Sequence, residues 1–580
     1  MASTTASPTS PGRPAATYSP ARPADAAARD EAGRPARPAA RRERTFAALV
    51  TAVFAIVVAL ALAHHEPWAD EWQAWLLARD SRSVAGLLHA MRYEGHPAAW
   101  YLLLYAVSRL GRAVQLMQAT HLVLAAAAVY VVARYAPFSR TTRALLAGGY
   151  FFAYEYAVIS REYVIGLLAL VLACALFRLR RRSYLPLALA LSLLANSSAY
   201  GLMFAFAFAV TLVLEWCTDA GVRAGRGRHP ADPLLAGALL LAMAVVSMRT
   251  ILPPPDATFV AGVSHTGPLL SAWVLAERAS LVWRAYVPIP SPHAPVFWES
   301  NILTYTGLTP QLLRRLIPAA LLVAGAALAM VRRPLVLFLY LFGTALVVAF
   351  TYFVNLGTLR HHGHLFLLLV ACAWLSRSDV RRLHVGPGLR ALLRRAERVA
   401  SPAFKGLLVL QVVAAAMLLA HDWRARFSSG GDAAAFLRRA GLADVPVAVT
   451  PTPAGISLSG YLDRPVHYIT DGVVGTYVVW GEQSGDWVTP VAFDRLRELL
   501  AAGQPRVVLA VNTPLAGPAP PDLVVRPLGS FTAAMMPGER YTLYEVSRAP
   551  AADSRQSSQS TTPSSAKMGS GETPVAAKGR

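Results

Sequence analysis

Apolar runs of roughly 16 to 20 residues recur from Thr45 to His421, each long enough to reach across most or all of a hydrocarbon core of about 30 Å as a helix. A chain so patterned belongs in a bilayer. Composition agrees, because 55% of the 580 residues are hydrophobic and 15% charged, too little charge to cover a soluble protein of this size. The fold class implied is an all-α polytopic membrane protein.

The net charge of +22 comes from arginines set in short clusters between the apolar runs. That distribution reads as membrane topology rather than as a nucleic-acid surface. Cys174, Cys217 and Cys372 fall inside or at the end of expected spans without metal-ligand spacing, so buried thiols are expected and no disulfide framework is implied.

Residues 1–44, rich in Ala, Pro, Arg, Ser and Thr, lack apolar periodicity and are expected to form a disordered tail. They also lack the charged, apolar and cleavage segments of a secretory leader. Arg41, Arg42 and Arg44 precede the first span, 46–63, and hold the N-terminus in the cytoplasm. Segment 97–110 would reach only about 21 Å as a helix, so it is placed at the outer surface as a juxtamembrane helix. Further spans then run at 117–134, 144–159, 163–178, 184–196, 199–216, 232–250, 311–331, 334–353, 364–376 and 404–421, about eleven with the first.

With this count Arg134/Arg140/Arg143, Arg178/Arg180/Arg181/Arg182, Arg223/Arg226/Arg228, Arg332/Arg333 and the basic stretch 377–405 all face the cytoplasm. Counting 97–110 as a span reverses every one of them. Outside lie 65–116, a connection around Ser160–Tyr163, 196–198, the long loop 251–308, 355–364 and everything after His421. The loop carries an amphipathic piece, Leu269–Tyr286, which reads either as a lid or as an interfacial helix. Beyond His421 strand-like and helix-like patterns alternate, so 422–548 is expected to be a small α/β domain outside the membrane. Residues 549–580 are expected to be a second disordered tail.

The ionisable chemistry is concentrated beside the membrane. Asp70 and Glu71 open a short helix soon after the first span, either as a carboxylate pair able to take a proton or bind a metal, or as acids favoured by a helix start. His96 in EGHPAAWY either touches substrate or is solvated. Glu155, Arg161 and Glu162 occur in YEYAVISREYV, where the seven-residue spacing of the two glutamates puts them on one helix face. An acid there is a functional candidate, with an internal Glu–Arg pair as the structural alternative. Late in the chain LRHHGH sets Arg360 beside His361, His362 and His364. The arginine suits a phosphate fork, and the histidines suit donation to it or, less well without an accompanying acid, a metal.

An acidic DE pair in the first outer loop, a GHP start to a juxtamembrane helix (EGHPAAWYLLL), an acid in the second outer loop (SREY) and a late basic motif together resemble the GT-C superfamily. Within it the chain looks like the bacterial branch related to protein O-mannosyltransferases and lipid A aminoarabinose transferases. The likeness covers about residues 45–376. It implies a plasma-membrane glycosyltransferase of the cell envelope that moves a sugar from a polyprenyl-phosphate carrier to an outer acceptor. It also implies Asp70 as general base with Glu71 its neighbour, Glu162 as the second-loop acid, and Arg360 with its histidines on the leaving phosphate. Arg161-Glu162 stands where many relatives show an aspartate, and RHHGH departs from the usual phosphate-binding pattern, so a divalent metal ion stays open as cofactor.

The residues alone point the same way. Transfer at an anomeric carbon needs a base for the acceptor hydroxyl and positive charge for the departing phosphate. The acidic and basic clusters supply one each. A transporter or lipid flippase, with polar groups near the bilayer midplane, and a non-catalytic assembly protein are the competing readings.

Overall fold

The computed structural model describes residues 37–224, 230–255, 272–303, 311–378, 380–481 and 493–550. Helices dominate the chain up to residue 424: α1 Arg37–His64, α2 Ala69–Asp80, α3 Val84–Ala90, α4 Ala99–Ser108, α5 Gln115–Tyr135, α6 Arg140–Ala147, α7 Tyr163–Leu176, α8 Leu185–Ala195, α9 Ala199–Thr218, α10 Ala220–Ala224, α11 Asp232–Ile251, α12 Ala272–Ala279, α13 Leu281–Tyr286, α14 Gln311–Met330, α15 Pro334–Phe353, α16 Leu359–Leu375 and α17 Pro387–Arg424. Among the described residues eight are long and apolar enough to cross a membrane: α1, α5, α7 with its extension to Arg181, α9, α11, α14, α15 and α17. The protein is membrane-embedded.

Side-chain exposure follows from that setting. On α1, Leu49, Ile56 and Leu60 are open, while Phe54, Val58 and Leu62, spaced every fourth residue, are buried on the side that packs on α5. An apolar outer face of this kind suits lipid tails. Cys174 and Cys372 are buried, but Cys217 is exposed on α9, contrary to the expectation of three buried thiols.

Several segments depart from the sequence reading. The expected span 144–159 is broken. Helix α6 stops at Gly148-Gly149, where two weak helix formers follow each other, and the chain resumes as a π-helical turn Phe151–Glu155 before an irregular stretch to Glu162. Glu155 and Glu162 therefore do not share a helix face. The first helix starts at Arg37, inside the expected tail 1–44, whose residues 1–36 lie outside the described residues. So do 551–580 of the second expected tail, Arg226 and Arg228, and residues 256–271 and 304–308 of the long loop.

From that loop, α13 buries Leu281, Val282, Ala285 and Tyr286 and packs on α16, so the last six residues of the amphipathic piece belong to the helical core, while 269–271 lie outside the described residues. Helix α16 begins at Leu359, not 364, because Thr358 and His361 form a reciprocal cap that draws the RHHGH motif into the first turns. The short α4 buries Trp100, Tyr101, Leu104 and Ser108 along one side.

After α17 the chain forms α18 Gly430–Arg439, β1 Val447–Thr450, α19 Thr452–Leu462, β2 Val466–Tyr468, β3 Val473–Gly475, α20 Phe493–Ala501, β4 Val507–Val511, β5 Leu523–Phe531 and β6 Tyr541–Arg548. The strands make one sheet in the order β3-β2-β1-β4-β6-β5, with β1 parallel to β2 and β4 and the other pairings antiparallel. The central β1 and β4 are buried throughout, as apolar strands covered on both faces should be. This domain sits on α2, with α19 as the contacting helix.

At the other end of the bundle, about 30 Å away along the helix axes, lie ion pairs between Glu43 and Arg140/Arg143, Arg180 and Glu215, and Glu397 and Arg332/Arg333.

Candidate functional site

The site is assembled by a buried polar junction where α1, α2 and α17 meet. His65, the first residue after α1, lies between two carboxylates, with Nε2 3.0 Å from Glu71 Oε2 and Nδ1 2.9 Å from Asp422 Oδ2. Burial alone would lower its pKa, but the charges of Asp422 and Glu71 outweigh this and raise it from 6.5 to about 10, so the ring is an imidazolium. Glu71 is fully buried. Its Oε2 also accepts from the Trp68 N–H, and its Oε1 accepts from the Ser160 N–H at 2.6 Å. Glu71 thus ties the start of α2 to the loop before α7. Its two oxygens are taken up by His65, Trp68 and Ser160, whereas Asp70 faces the arginines.

That tie places Asp70 against Arg161, the residue after Ser160. Asp70 Oδ2 is 2.9 Å from Arg161 Nη1 and 3.0 Å from Arg360 Nη2. The acidic and basic motifs, 290 positions apart, are in direct contact. Arg161 is engaged through all three nitrogens: Nη1 on Asp70, Nε on Glu162 at 3.0 Å and Nη2 on His96 Nε2 at 3.1 Å. An arginine only donates, so His96 accepts at Nε2 and, as a neutral ring, carries its proton on Nδ1, 3.4 Å from Glu162 Oε1. Burial depresses the His96 pKa, which agrees with the neutral form. Burial would raise Glu162, but the Arg161 guanidinium beside it outweighs this and holds its carboxyl below the usual range.

Arg360 is the member with capacity to spare. Its guanidinium lies 5.3 Å from the Trp68 ring and 5.7 Å from the Trp298 ring, and its Nε is 3.9 Å from Glu299 Oε1. Buried Nε and Nη1 of Arg360 make no hydrogen bond among the described residues, and neither do Trp68 Nε1 and the Tyr163 hydroxyl. Buried donors left unmet are costly and mark a place for an acceptor.

The three histidines of the motif have separate fates. His361 Nδ1 accepts from the Thr358 N–H at 2.8 Å, which leaves the proton on Nε2. His362 is buried with Nε2 on the Leu356 carbonyl at 2.9 Å, and His364 stacks on Tyr200 with Nδ1 on the His361 carbonyl. His362 and His364 brace the helix start, and His362 does not join the Asp70 group.

The donor set does not fit a metal ion. Among the described residues no group of three His, Cys, Asp or Glu side chains is placed to hold one, and Asp70, the most available carboxylate, already faces two guanidinium groups.

His65 belongs to this site, and so do Ser160, Trp298 and Glu299, which had no role assigned from the sequence. His65 lay beside the quoted acids, but Trp298 and Glu299 come from a long loop in which nothing marks them. Glu299 adopts φ 62°, unusual for a side chain of its size, while facing Arg360. Compared with protein families, curated proteins and solved structures, the chain matches none.

Proposed function

We propose that this protein is a GT-C-type membrane glycosyltransferase that moves a sugar from a polyprenyl-phosphate carrier to an acceptor hydroxyl. The observation that carries this reading is the contact of Asp70 with Arg360, a guanidinium whose buried Nε and Nη1 have no hydrogen-bond partner among the described residues. A carboxylate for the acceptor proton and a cation for the leaving phosphate stand side by side, as the transfer requires.

Asp70 takes the proton of the acceptor hydroxyl as its oxygen attacks the anomeric carbon. The bond from that carbon to the phosphate oxygen breaks, and its electron pair leaves on the phosphate, where Arg360 meets the added negative charge. The displacement inverts the carbon and forms no bond to the enzyme. Before substrate arrives, Arg360 neutralises Asp70. A phosphodiester anion drawing that guanidinium onto itself relieves Asp70 of one of its two cations and leaves the carboxylate open to the acceptor hydroxyl as the donor binds. Arg161, fully engaged with Asp70, Glu162 and His96, stays as the fixed support. One guanidinium with open donors suits a monophosphate carrier better than a diphosphate.

The arginine pairs at the opposite end support an orientation with that end in the cytoplasm and the site, with the C-terminal domain, outside the plasma membrane. About eleven crossings follow if α8, α16 and the broken segment 140–162 are counted with the eight long helices. Placement of the Asp70–Arg161–Arg360 group at one end of the bundle, not at mid-depth, favours a transferase over a transporter.

The test is release of polyprenyl phosphate from a panel of polyprenyl-phosphate sugars by the purified protein. Asp70→Asn is expected to lower kcat by about 10²- to 10⁴-fold, the usual range for a lost general base. Arg360→Ala is expected to raise KM for the donor as well. Wild-type turnover persisting unchanged in both variants would end the proposal.

A further inference from the structure

The turn that carries Asp70 is held from two sides. On the bundle side Glu71 takes the Trp68 N–H. On the other side the adjacent Ala69 N–H donates to Glu539 Oε1 at 3.1 Å, and Glu539 belongs to the C-terminal domain, in the short turn Pro537–Glu539 before β6. Glu539 is buried and is itself fixed, its Oε2 accepting from Ser428 Oγ at 2.8 Å and lying 3.4 Å from the Tyr541 hydroxyl. A carboxylate at a helix N-terminus satisfies an N–H with no partner inside the helix and is favoured by the helix dipole. Here it comes from 470 positions away.

The rest of α2 is gripped by the same domain. The Gln73 amide donates to the Val478 carbonyl at 2.6 Å and accepts from its N–H at 3.2 Å. Thr476 Oγ1 donates to Asp80 at 2.7 Å, and Asp463 pairs with Arg79 and Arg112 at 2.9 and 2.8 Å. Gly460 of α19 lies so close to Trp72 that a Cβ would stand 2.3 Å from the indole. The helix is therefore clamped from its first amide to its last residue, while Asp70 reaches back to Arg161 and Arg360 on the bundle.

We propose that Glu539 is a positioning residue for the reaction: the C-terminal domain acts as the frame that sets Asp70 against the two arginines, and Glu539 is the strut at the residue next to it. The inference rests on the reading of Asp70 as the base. It assigns the domain a part in the chemical step rather than in acceptor choice alone.

The test compares Glu539→Ala and Glu539→Gln in the full-length protein with a donor that the wild type turns over. A displacement of about 1 Å at a catalytic group costs on the order of 10²-fold in rate. Glu539→Ala is expected to lower kcat by about 10- to 100-fold, with KM for the donor changed by less than about threefold, because Arg360 is untouched. Glu539→Gln keeps an acceptor oxygen for the Ala69 N–H and is expected to recover most of the rate. Hydrogen exchange should speed up at 68–73 in the alanine variant while β1, β4 and β6 stay protected.

Wild-type kcat in a Glu539→Ala protein would overturn the proposal, as would a rise in KM without loss of kcat. Should the alanine variant fail to fold, Glu539→Gln decides alone: a kcat near wild type supports the acceptor role, and a drop as deep as that of Asp70→Asn contradicts it. A wild type that turns over no polyprenyl-phosphate sugar sinks the transferase reading instead, a result distinct from either.

Discussion

Replacing His65 by Leu removes the one cation between Glu71 and Asp422 and leaves two carboxylates facing an apolar side chain. Both contacts are short, at 3.0 and 2.9 Å, and the His65 side chain is wholly buried. Breaking a buried ion pair by deleting one partner costs about 3–5 kcal/mol, because the remaining charge is left uncompensated. The loss should appear as a lower unfolding midpoint of the detergent-solubilised protein, followed by tryptophan fluorescence. It should also reach the site, since Glu71 holds the Ser160 N–H beside Arg161.

The same group predicts a pH dependence. The imidazole pKa is 6.5 in the unfolded chain and about 10 in the native protein. Below about 6.5 both states hold the proton and the full contribution is present. Between these values only the native state holds it, so unfolding releases a proton and stability falls as pH rises towards 10. The wild-type midpoint should therefore decline over that window and the His65→Leu midpoint should decline less. Equal midpoints for the two proteins at pH 6, or parallel curves up to pH 10, would refute the imidazolium assignment.

Gly460→Ala should force the Trp72 indole out of place and lower stability by about 1–3 kcal/mol, as overpacking does; a midpoint equal to wild type would show that α19 does not seat on α2 as described. Orientation is testable by labelling single cysteines at the exposed positions Arg181 and Arg526 in a Cys217→Ser background, Cys174 and Cys372 being buried. A membrane-impermeant maleimide on intact cells should reach position 526 and not 181. The reverse pattern would invert the topology.

Much of the membrane part was readable because run length and charge are local properties: α1, α5, α9, α11 and α15 fall where apolar runs of sufficient length lie between arginines. The break at Gly148-Gly149 was missed because the aromatic residues that follow keep the stretch apolar while the backbone leaves the helix. In the C-terminal domain β5 gives a weak sequence signal for a related reason, since Pro527 and Gly529 interrupt it. Both are tolerated there because β5 is an edge strand with an irregular register at that point.

The site was legible as two motifs and not as a geometry. Asp70 and Glu71 look alike in sequence, but neighbours on a helix point about 100° apart, and only burial decides which meets Arg360 and which turns inward. The histidines of RHHGH separate by the same rotation. The contacts of Glu299 with Arg360, Trp298 with Trp68 and Glu539 with Ala69 cross about 60, 230 and 470 positions, for which no periodicity gives a signal.

The most direct test of the Asp70–Arg360 site is the affinity of the purified protein for a polyprenyl monophosphate, measured by titration for wild type, Arg360→Ala and Asp70→Asn. Losing the Arg360 charge-assisted bonds should weaken binding by about 10- to 100-fold, from about 1.5–3 kcal/mol. Asp70→Asn removes the carboxylate that competes for that guanidinium, so it should bind the phosphate at least as tightly as wild type while turning the donor over about 10²- to 10⁴-fold more slowly. Weaker binding in Asp70→Asn, or undiminished binding in Arg360→Ala, would contradict the account.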